Sequence, residues 1–260
     1  MELPDMNPYS RLYAVSNVYA QPEIVMSSIS RFHLTAGAMP QKWIIVNNHW
    51  PMVENPTWHA VQAMNYVGKC GRIYSACERD GKGEPTYKNL GGHGGTTFGL
   101  KQFDFEDEDL ILNYDLDSWP ITPGWLTAMI ETMKADLTLG WVALMVERLI
   151  QDPAWTYEII GGHRVAFRDP TEMWNVTLFR GKMFREGMLA DSTYYGYVET
   201  AMERKAREFG LRHGWMADFI EGQHPIPHPK TYSDYKQAHA RSNPKYPGTF
   251  EQWLKEMGTE

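Results

Sequence analysis

The sequence predicts an α/β fold in which a mainly parallel central sheet is covered by helices on both faces. Two observations support this prediction. Apolar runs typical of strands alternate with helix-periodic segments, and one of the apolar runs ends in the aspartates at positions 115 and 117. Alternation favours a parallel sheet, because parallel strands need long crossovers that are usually helices. Ligands of such folds bind outside the carboxyl ends of the strands, so the fold class predicts a site at the two aspartates.

The first half of the chain supplies most of the predicted strands. RLYAVSNVY is strand-like, and PEIVMSSISRFHLTAG places Val25, Ile29 and Phe32 on one helical face before Gly37. A second strand (KWIIVNN), a helix in TWHAVQAMNYVGK and a third strand (GRIYSAC) follow along the chain. A fourth strand, LILNY, leads directly into Asp115.

The second half alternates less regularly. Thr122 is predicted to cap a helix that has Pro123 in its first turn. GWVALMVERLI fits either a strand or a buried helix, and a further helix is predicted from about Tyr197 to Phe209. We expect one domain over residues 1–224, with halves 1–117 and 118–224, and an irregular proline-rich tail that wraps the domain over 225–260.

Composition limits the class of protein. The chain has 260 residues, of which 43% are hydrophobic, so it can bury a substantial core. Its formal charge of −7 gives no overall attraction to nucleic acid or anionic lipid. Two cysteines, Cys70 and Cys77, are too few for a disulfide framework, and no apolar run is long enough to cross a bilayer. We therefore expect a cytoplasmic protein.

The aspartate pair is the first candidate for chemistry. Two carboxylates one residue apart at a strand end can bind a hard divalent cation, and a nucleoside diphosphate can supply the remaining oxygen ligands. The alternative is a solvated turn, because aspartate is common in turns. The pair alone does not decide between these interpretations.

A glycine-rich segment, NLGGHGGTTFGL, precedes the fourth strand. Glycine allows backbone N–H groups to approach an anion closely, and the start of a following helix adds favourable partial charge. A flexible loop would explain the glycines equally well. The segment is not a P-loop, because no Gly-Lys-Ser/Thr follows it.

Five segments taken together resemble the family 2 type of GT-A glycosyltransferase: LYAVSNVYAQPE, WIIVNN, NLGGHGGTTFGL, LILNYDLDSWPITPGWL and YYGYVET. Their order and spacing match over most of the chain. The resemblance implies a GT-A, Rossmann-like fold. It also implies the inverting transfer of a sugar from a nucleotide-diphosphate sugar, with a UDP-sugar favoured, to an acceptor hydroxyl with the help of Mn²⁺ or Mg²⁺.

The resemblance also implies roles for residues on the donor side. Asp117 would be a metal ligand, and Asp115 would contact the ribose, the metal or a metal-bound water. The glycine-rich segment would line the donor pocket, and the ends of the first two strands would contact the base and ribose. The residues implied in these contacts are His93 and Thr96 in the segment, and Asn17 and Asn47 at the strand ends.

Two further residues are implied on the acceptor side. Glu199 would be the general base that removes the acceptor proton. The family usually has Glu-Asp where this chain has Val198-Glu199, and a glutamate in a first helical turn is also favoured simply by the helix dipole. His224 would complete the metal site, although His228 is an equal candidate by composition.

The sequence leaves further acceptor-side residues and more than one function as alternatives. Trp174 and Arg180 could line the acceptor side, although packing is the usual role of a tryptophan. The acceptor could be a glycan, a lipid-linked sugar or, as in some bacteriophages, a hydroxymethylated pyrimidine base in DNA, and the acidity of the chain disfavours the last. A protein of another class, with a GT-A-like sheet that binds without catalysis, is the second hypothesis. Oligomeric state is not predicted.

Overall fold

The structure is a computed structural model. It describes the residues in the ranges 11–18, 22–47, 71–75, 77–79, 85–87, 91–150, 154–168, 176–185, 203 and 206–227. The helix predicted in TWHAVQAMNYVGK, most of the helix predicted from Tyr197 and the tail after residue 227 lie outside these ranges.

The described residues form twelve strands and four α-helices. The strands are β1 (Leu12–Val18), β2 (Lys42–Asn47), β3 (Gly71–Ser75), β4 (Cys77–Arg79), β5 (Pro85–Tyr87), β6 (Leu110–Tyr114), β7 (Trp119–Pro120), β8 (Leu139–Val146), β9 (Thr156–Ile160), β10 (His163–Phe167), β11 (Val176–Arg180) and β12 (Arg212–Gly222). The helices are α1 (Pro22–Thr35), α2 (Gly91–Leu100), α3 (Trp125–Ala135) and α4 (Lys182–Arg185).

Ten of these strands form one sheet in the order β3-β2-β1-β6-β11-β8-β12-β10-β9, with β7 paired to β12. Strands β3, β2, β1, β6, β8 and β12 run in the same direction, and β11 lies antiparallel between β6 and β8. The predicted mainly parallel α/β sheet is confirmed. The carboxyl ends of β1, β2, β6 and β12 therefore meet at one edge, which we call the carboxyl edge.

Helices cover both faces of the sheet, as predicted. Alternate side chains of β6 divide between two cores. Leu112 and Tyr114 pack with α1 and α3 on one face, whereas Ile111 packs on the other face with Leu100 at the end of α2. A sheet that is buried on both sides explains why its strands are near-continuous apolar runs and not alternating patterns.

Helix α1 forms as its periodicity predicts. Val25, Ile29 and Phe32 are buried against the sheet. The helix ends at Thr35, and Gly37 follows with φ of 77°, a left-handed conformation that glycine adopts without steric cost.

The glycine-rich segment is helical over Gly91–Leu100, so these residues are not the flexible loop that the sequence alone left open, and their predicted role in the donor pocket stays a prediction. The structure gives Gly99 a packing role. A Cβ atom at Gly99 would lie 2.5 Å from Cγ2 of Val15 and 3.1 Å from Cγ2 of Val46. Glycine therefore allows α2 to lie close to β1 and β2, at some cost in helix propensity.

The start of α3 also differs from its prediction. The helix begins at Trp125, and its N-cap is Gly124, which makes no side-chain capping bond. The hydroxyl of Thr122 instead accepts a hydrogen bond of 3.1 Å from the backbone N–H of Ile220 in β12. The ambiguous segment GWVALMVERLI forms strand β8 and a short 3₁₀ turn, Glu147–Leu149.

Arg180 does not lie on the acceptor side, and that interpretation is wrong. Its backbone is paired with Leu110 at the start of β6, at the edge opposite the aspartates. The guanidinium is buried and donates to the carbonyl oxygens of Met133 (2.7 Å) and Leu139 (3.2 Å). Arg180 thus donates hydrogen bonds to backbone carbonyls at the end of α3 and the start of β8. An apolar side chain at this buried position could not donate to them.

None of the described helices combines the length and the apolar character that crossing a bilayer would require.

The close packing of α2 gives a stability prediction. Gly99→Val should lower the free energy of unfolding by about 1–3 kcal/mol, the usual cost of overpacking a core. Urea denaturation monitored by circular dichroism measures the change, with the exposed Gln102→Ala just after α2 as the control. If Gly99→Val were as stable as wild type, α2 could not lie as close to β1 as the structure places it.

Candidate active site

Strand β6 brings the two aspartates to the carboxyl edge. Asp115 and Asp117 are half-buried, and Leu116 between them is only 3% exposed because it packs into the core beneath α1. The backbone N–H of Ser118 donates to the carbonyl of Asp115 at 2.9 Å, which closes a tight turn. The buried Leu116 anchors this turn, so the pair differs from a freely solvated loop.

A chain of hydrogen bonds reaches Asp115 from the α2 face. Nδ2 of Asn17 donates to Oγ1 of Thr96 (2.9 Å), and Oγ1 of Thr96 donates to Oδ1 of Asn113 (3.2 Å). Nδ2 of Asn113 then lies 3.3 Å from Oδ1 of Asp115 and donates to it. These hydrogen bonds join β1, α2 and β6. They bring together three of the predicted donor-site residues: Asn17, Thr96 and Asp115.

Bonds on the opposite face fix the residue before the pair. The hydroxyl of Tyr114 donates to the carbonyl of Ser28 in α1 (3.0 Å), and the hydroxyl of Ser28 donates to the carbonyl of Ser118 (2.8 Å). Burial raises the pKa of Tyr114 far above its usual value, and the negative charges of Glu221 and Asp117 raise it further. Tyr114 is therefore a neutral donor that ties the strand end to α1.

His224 follows the end of β12 and lies beside the aspartate turn. Its ring contacts Trp119, with centroids 5.0 Å apart. Nε2 lies 3.0 Å from Oγ of Ser27, and Nδ1 lies 3.1 Å from the amide nitrogen and 3.0 Å from the carbonyl oxygen of Ile226. Because the Ser27 hydroxyl donates to Ile24, its oxygen accepts from Nε2–H, which leaves Nδ1 to accept from Ile226.

This geometry bears on the role predicted for His224. Both ring nitrogens have hydrogen-bond partners, so binding a metal would require the ring to give up the Ser27 contact or the Ile226 contact. His224 as a metal ligand stays a prediction, and His228 lies outside the described residues.

Other predicted site residues are described in part or not at all. Asn47 ends β2 and His93 lies in α2, but only their backbones belong to the described residues. Glu199 and Trp174 lie outside the described residues altogether. Their predicted roles stay untested by the geometry.

The structure adds two residues that sequence reasoning missed. Asn113 is 8% exposed and holds Asp115, and its sequence signal is a polar residue inside the apolar run LILNY. Glu221 is 5% exposed near the end of β12, where it pairs with Pro120 of β7. A buried carboxylate of this kind could have been noticed as a charged residue beside the end of the apolar strand that leads to His224.

The described residues do not assemble a complete metal site from protein side chains. Across the part of the chain that the structure describes, no three His, Cys, Asp or Glu residues are grouped so that they could hold a metal ion. The two half-buried aspartates do offer oxygen donors at one turn. This arrangement fits a divalent cation that arrives with a diphosphate, since Mg²⁺ is usually bound by one or two carboxylates plus substrate phosphates.

Comparisons with known proteins give a likeness in structure alone. No known family model matches the chain. No curated protein matches it in sequence.

Several solved glycosyltransferase structures do match. A mannosyltransferase from Pyrobaculum calidifontis, solved with GDP-Man and Mn²⁺, has a TM-score of 0.61 and 13% identity over 90% of this chain. GalNAc-T7, solved with UDP, GalNAc and Mn²⁺, has a TM-score of 0.59 and 9% identity over 96% of this chain. TarS of S. aureus, residues 1–349, has a TM-score of 0.57 and 11% identity over 95% of this chain and 79% of its own length.

The match extends over nearly all of this chain but over less of the first two proteins. The chain spans 62% of the mannosyltransferase and 54% of GalNAc-T7. At identities of 9–13%, what is shared is the fold. The topology of the sheet and these structural matches together show that the chain has the GT-A fold, which it shares with these glycosyltransferases.

Proposed function

We propose that the chain is a glycosyltransferase that moves a sugar from a nucleotide-diphosphate sugar to an acceptor hydroxyl with the help of a divalent cation. One observation carries the proposal. Two half-buried carboxylates, Asp115 and Asp117, follow a central strand at the carboxyl edge of a GT-A sheet, and hydrogen bonds from both faces hold that strand end. Rigid placement of charged groups is what binding a charged donor requires.

The aspartates are proposed to act on the diphosphate end of the donor. Asp117 would be the metal ligand, and Asp115 would contact the ribose or a metal-bound water. A divalent cation bound there supplies positive charge that stabilises the departing diphosphate. The chain contributes one or two carboxylate ligands and the diphosphate contributes the rest, in keeping with the lack of a complete protein-only site among the described residues.

The remaining donor contacts are proposed from the carboxyl edge. Asn17 and Thr96 are bonded to each other there, which supports a shared role beside the donor. Asn47 at the end of β2 and His93 in α2 complete the proposed set. Uracil is the favoured base, although the similar structures were solved with both GDP-Man and UDP.

Glu199 is proposed as the base that removes the acceptor proton, with inversion at the sugar. His224, which comes late in the sequence, is proposed as a further metal ligand. The acceptor is proposed to be a glycan or another hydroxyl compound. Among the described contacts and the similar structures, nothing supports modified DNA as the acceptor. A binding protein without catalysis is the alternative, and donor hydrolysis by the purified chain with Mn²⁺ separates the two hypotheses.

Metal-dependent donor binding gives the first functional prediction. Asp117→Ala should weaken the binding of UDP or GDP in Mn²⁺ by about tenfold or more, because it removes the proposed metal ligand, and a tenfold change corresponds to about 1.4 kcal/mol. Without nucleotide, neither wild type nor variant should bind Mn²⁺ tightly. Isothermal titration calorimetry measures both quantities.

Asp104→Ala is the matched control for this experiment. Asp104 is an exposed carboxylate whose backbone carbonyl accepts a bond from Tyr13 near the start of β1, away from the carboxyl edge. Its loss should leave nucleotide affinity unchanged. Full Mn²⁺-dependent affinity in a folded Asp117→Ala variant would rule out the metal role of Asp117.

The base assignment gives the second functional prediction. Glu199→Gln keeps shape and hydrogen bonding but cannot accept a proton, so turnover should fall by roughly 10²-fold or more while nucleotide affinity stays normal. The assay is donor hydrolysis, in which water takes the place of the acceptor hydroxyl.

Asp218→Asn provides the control carboxylate for the same assay. Asp218 is exposed and its Oδ1 is held by Arg164 at 2.6 Å, so its substitution should leave turnover intact. If Glu199→Gln hydrolysed donor at the wild-type rate, Glu199 would be only a helix-start carboxylate. Asp191 would then be the next candidate for the base, and Asp218 would be considered only if Asp218→Asn itself lowered turnover.

A further inference from the structure

Asn113 is a buried amide inside an otherwise apolar strand end. It is 8% exposed, and its neighbours in β6 include the fully buried Leu112 and Tyr114. Burying an amide costs free energy unless hydrogen bonds replace its contacts with water. A leucine or valine would therefore be the simpler occupant, so the bonds that the amide makes indicate what it does.

Both polar atoms of the Asn113 amide form hydrogen bonds, Oδ1 as an acceptor and Nδ2 as a donor. Oδ1 accepts from the hydroxyl of Thr96 (3.2 Å), and Nδ2 donates to Oδ1 of Asp115 (3.3 Å). Thr96 in turn accepts from Asn17 (2.9 Å). Each donor in this series of hydrogen bonds points towards Asp115. Hydrogen bonds that are aligned in this way polarise one another.

The backbone around Asn113 is held on both sides. Asn113 is paired with Val15 of the parallel strand β1 and with Thr177 of the antiparallel strand β11. Asn113 and Asp115 are two residues apart, so in an extended chain their side chains project to the same face. The amide therefore lies directly beneath the carboxylate, on a strand that cannot shift without breaking two ladders.

We propose that Asn113 is a positioning residue of the donor site, which holds the carboxylate of Asp115 in place and couples it to α2 through Thr96. The inference rests on the proposed function, since Asp115 is a donor contact only if the chain binds a nucleotide sugar. In this role Asn113 acts on the donor only through Asp115. It acts through the hydrogen bond from Nδ2, and the volume of its side chain alone is not sufficient for this role.

Two substitutions of similar size separate the hydrogen bond from the volume. Asn113→Leu keeps the branched shape at Cγ, with two methyl groups in place of Oδ1 and Nδ2, and removes both bonds. Asn113→Asp keeps an acceptor for Thr96 but replaces the donor to Asp115 with a second oxygen. If Nδ2 is what matters, both variants should lose donor affinity, whereas a packing role would spare Asn113→Leu and a role in satisfying Thr96 would spare Asn113→Asp.

Thr177→Val is the matched control. Thr177 lies opposite Asn113 in β11 and is fully buried, and its Oγ1 has no hydrogen-bond partner in the described structure. Thr177→Val replaces that hydroxyl with a methyl group at the position in the sheet that is paired with Asn113. It leaves the hydrogen bonds that lead to Asp115 intact. Nucleotide affinity should be unchanged in this variant.

The experiment measures binding of UDP and of GDP with Mn²⁺ by calorimetry, alongside thermal unfolding of each variant. Asn113→Leu and Asn113→Asp should raise the Kd of the nucleotide that wild type binds by about tenfold or more, the scale expected for a lost bond to a charged group. In donor hydrolysis, the KM for the donor should rise by a similar factor while kcat changes less.

A double-mutant cycle tests whether Asn113 acts through Asp115. In an Asp115→Ala background, Asn113→Leu should cost much less affinity than it does in wild type, because the carboxylate that it positions is gone. Equal costs in the two backgrounds would overturn the inference even if the variants are folded, and so would normal affinity in Asn113→Leu.

The outcomes also separate this inference from the function on which it rests. If wild type binds nucleotide and Asn113→Leu binds it equally well, only the role of Asn113 is wrong. If wild type binds neither UDP nor GDP with Mn²⁺, both the proposed function and the role of Asn113 fall.

Discussion

The candidate site depends on one constraint: the carboxyl end of β6 is polar and yet buried, so its polar groups must be bonded to the layers on both sides. Asn113 is joined to Thr96 of α2 on one face, and Tyr114 is joined to Ser28 of α1 on the other. Leaving either group without its partner would carry the full cost of desolvation. These hydrogen bonds fix the position of the strand end. They therefore also fix the position of the aspartates that follow it.

The rest of the fold serves this strand end. Gly99 lets α2 approach the sheet closely enough for Thr96 to reach Asn113, and Leu116 fixes the turn between the two carboxylates from below. The parallel order of β1, β2, β6 and β12 collects polar residues from different parts of the chain at one edge. Charge is thus held at the rim of a rigid apolar core, where a charged ligand can be bound without burying an unpaired carboxylate.

Periodicity predicted the sheet, its helices on both faces and the strand that leads to Asp115, because burial on a regular element imposes a repeat that the sequence must show. It did not identify the role of Gly99 or Arg180. A glycine that permits close packing and a glycine that permits a turn look the same in a sequence, and a buried arginine that binds carbonyls looks the same as one that binds a ligand. Asn113 was missed because its partner Thr96 lies 17 residues away and only the folded chain brings them together.

The central claim, that this edge of the sheet binds a nucleoside diphosphate through a cation at the aspartate turn, is tested most directly by crystals of the chain grown with Mn²⁺ and UDP or GDP. Anomalous scattering at the manganese absorption edge locates the ion without ambiguity. The account predicts one manganese at coordination distance, about 2 Å, from a carboxylate oxygen of Asp117 and bound to both phosphates of the nucleotide. A nucleotide bound elsewhere on the chain, or a manganese ion away from this turn, would contradict it.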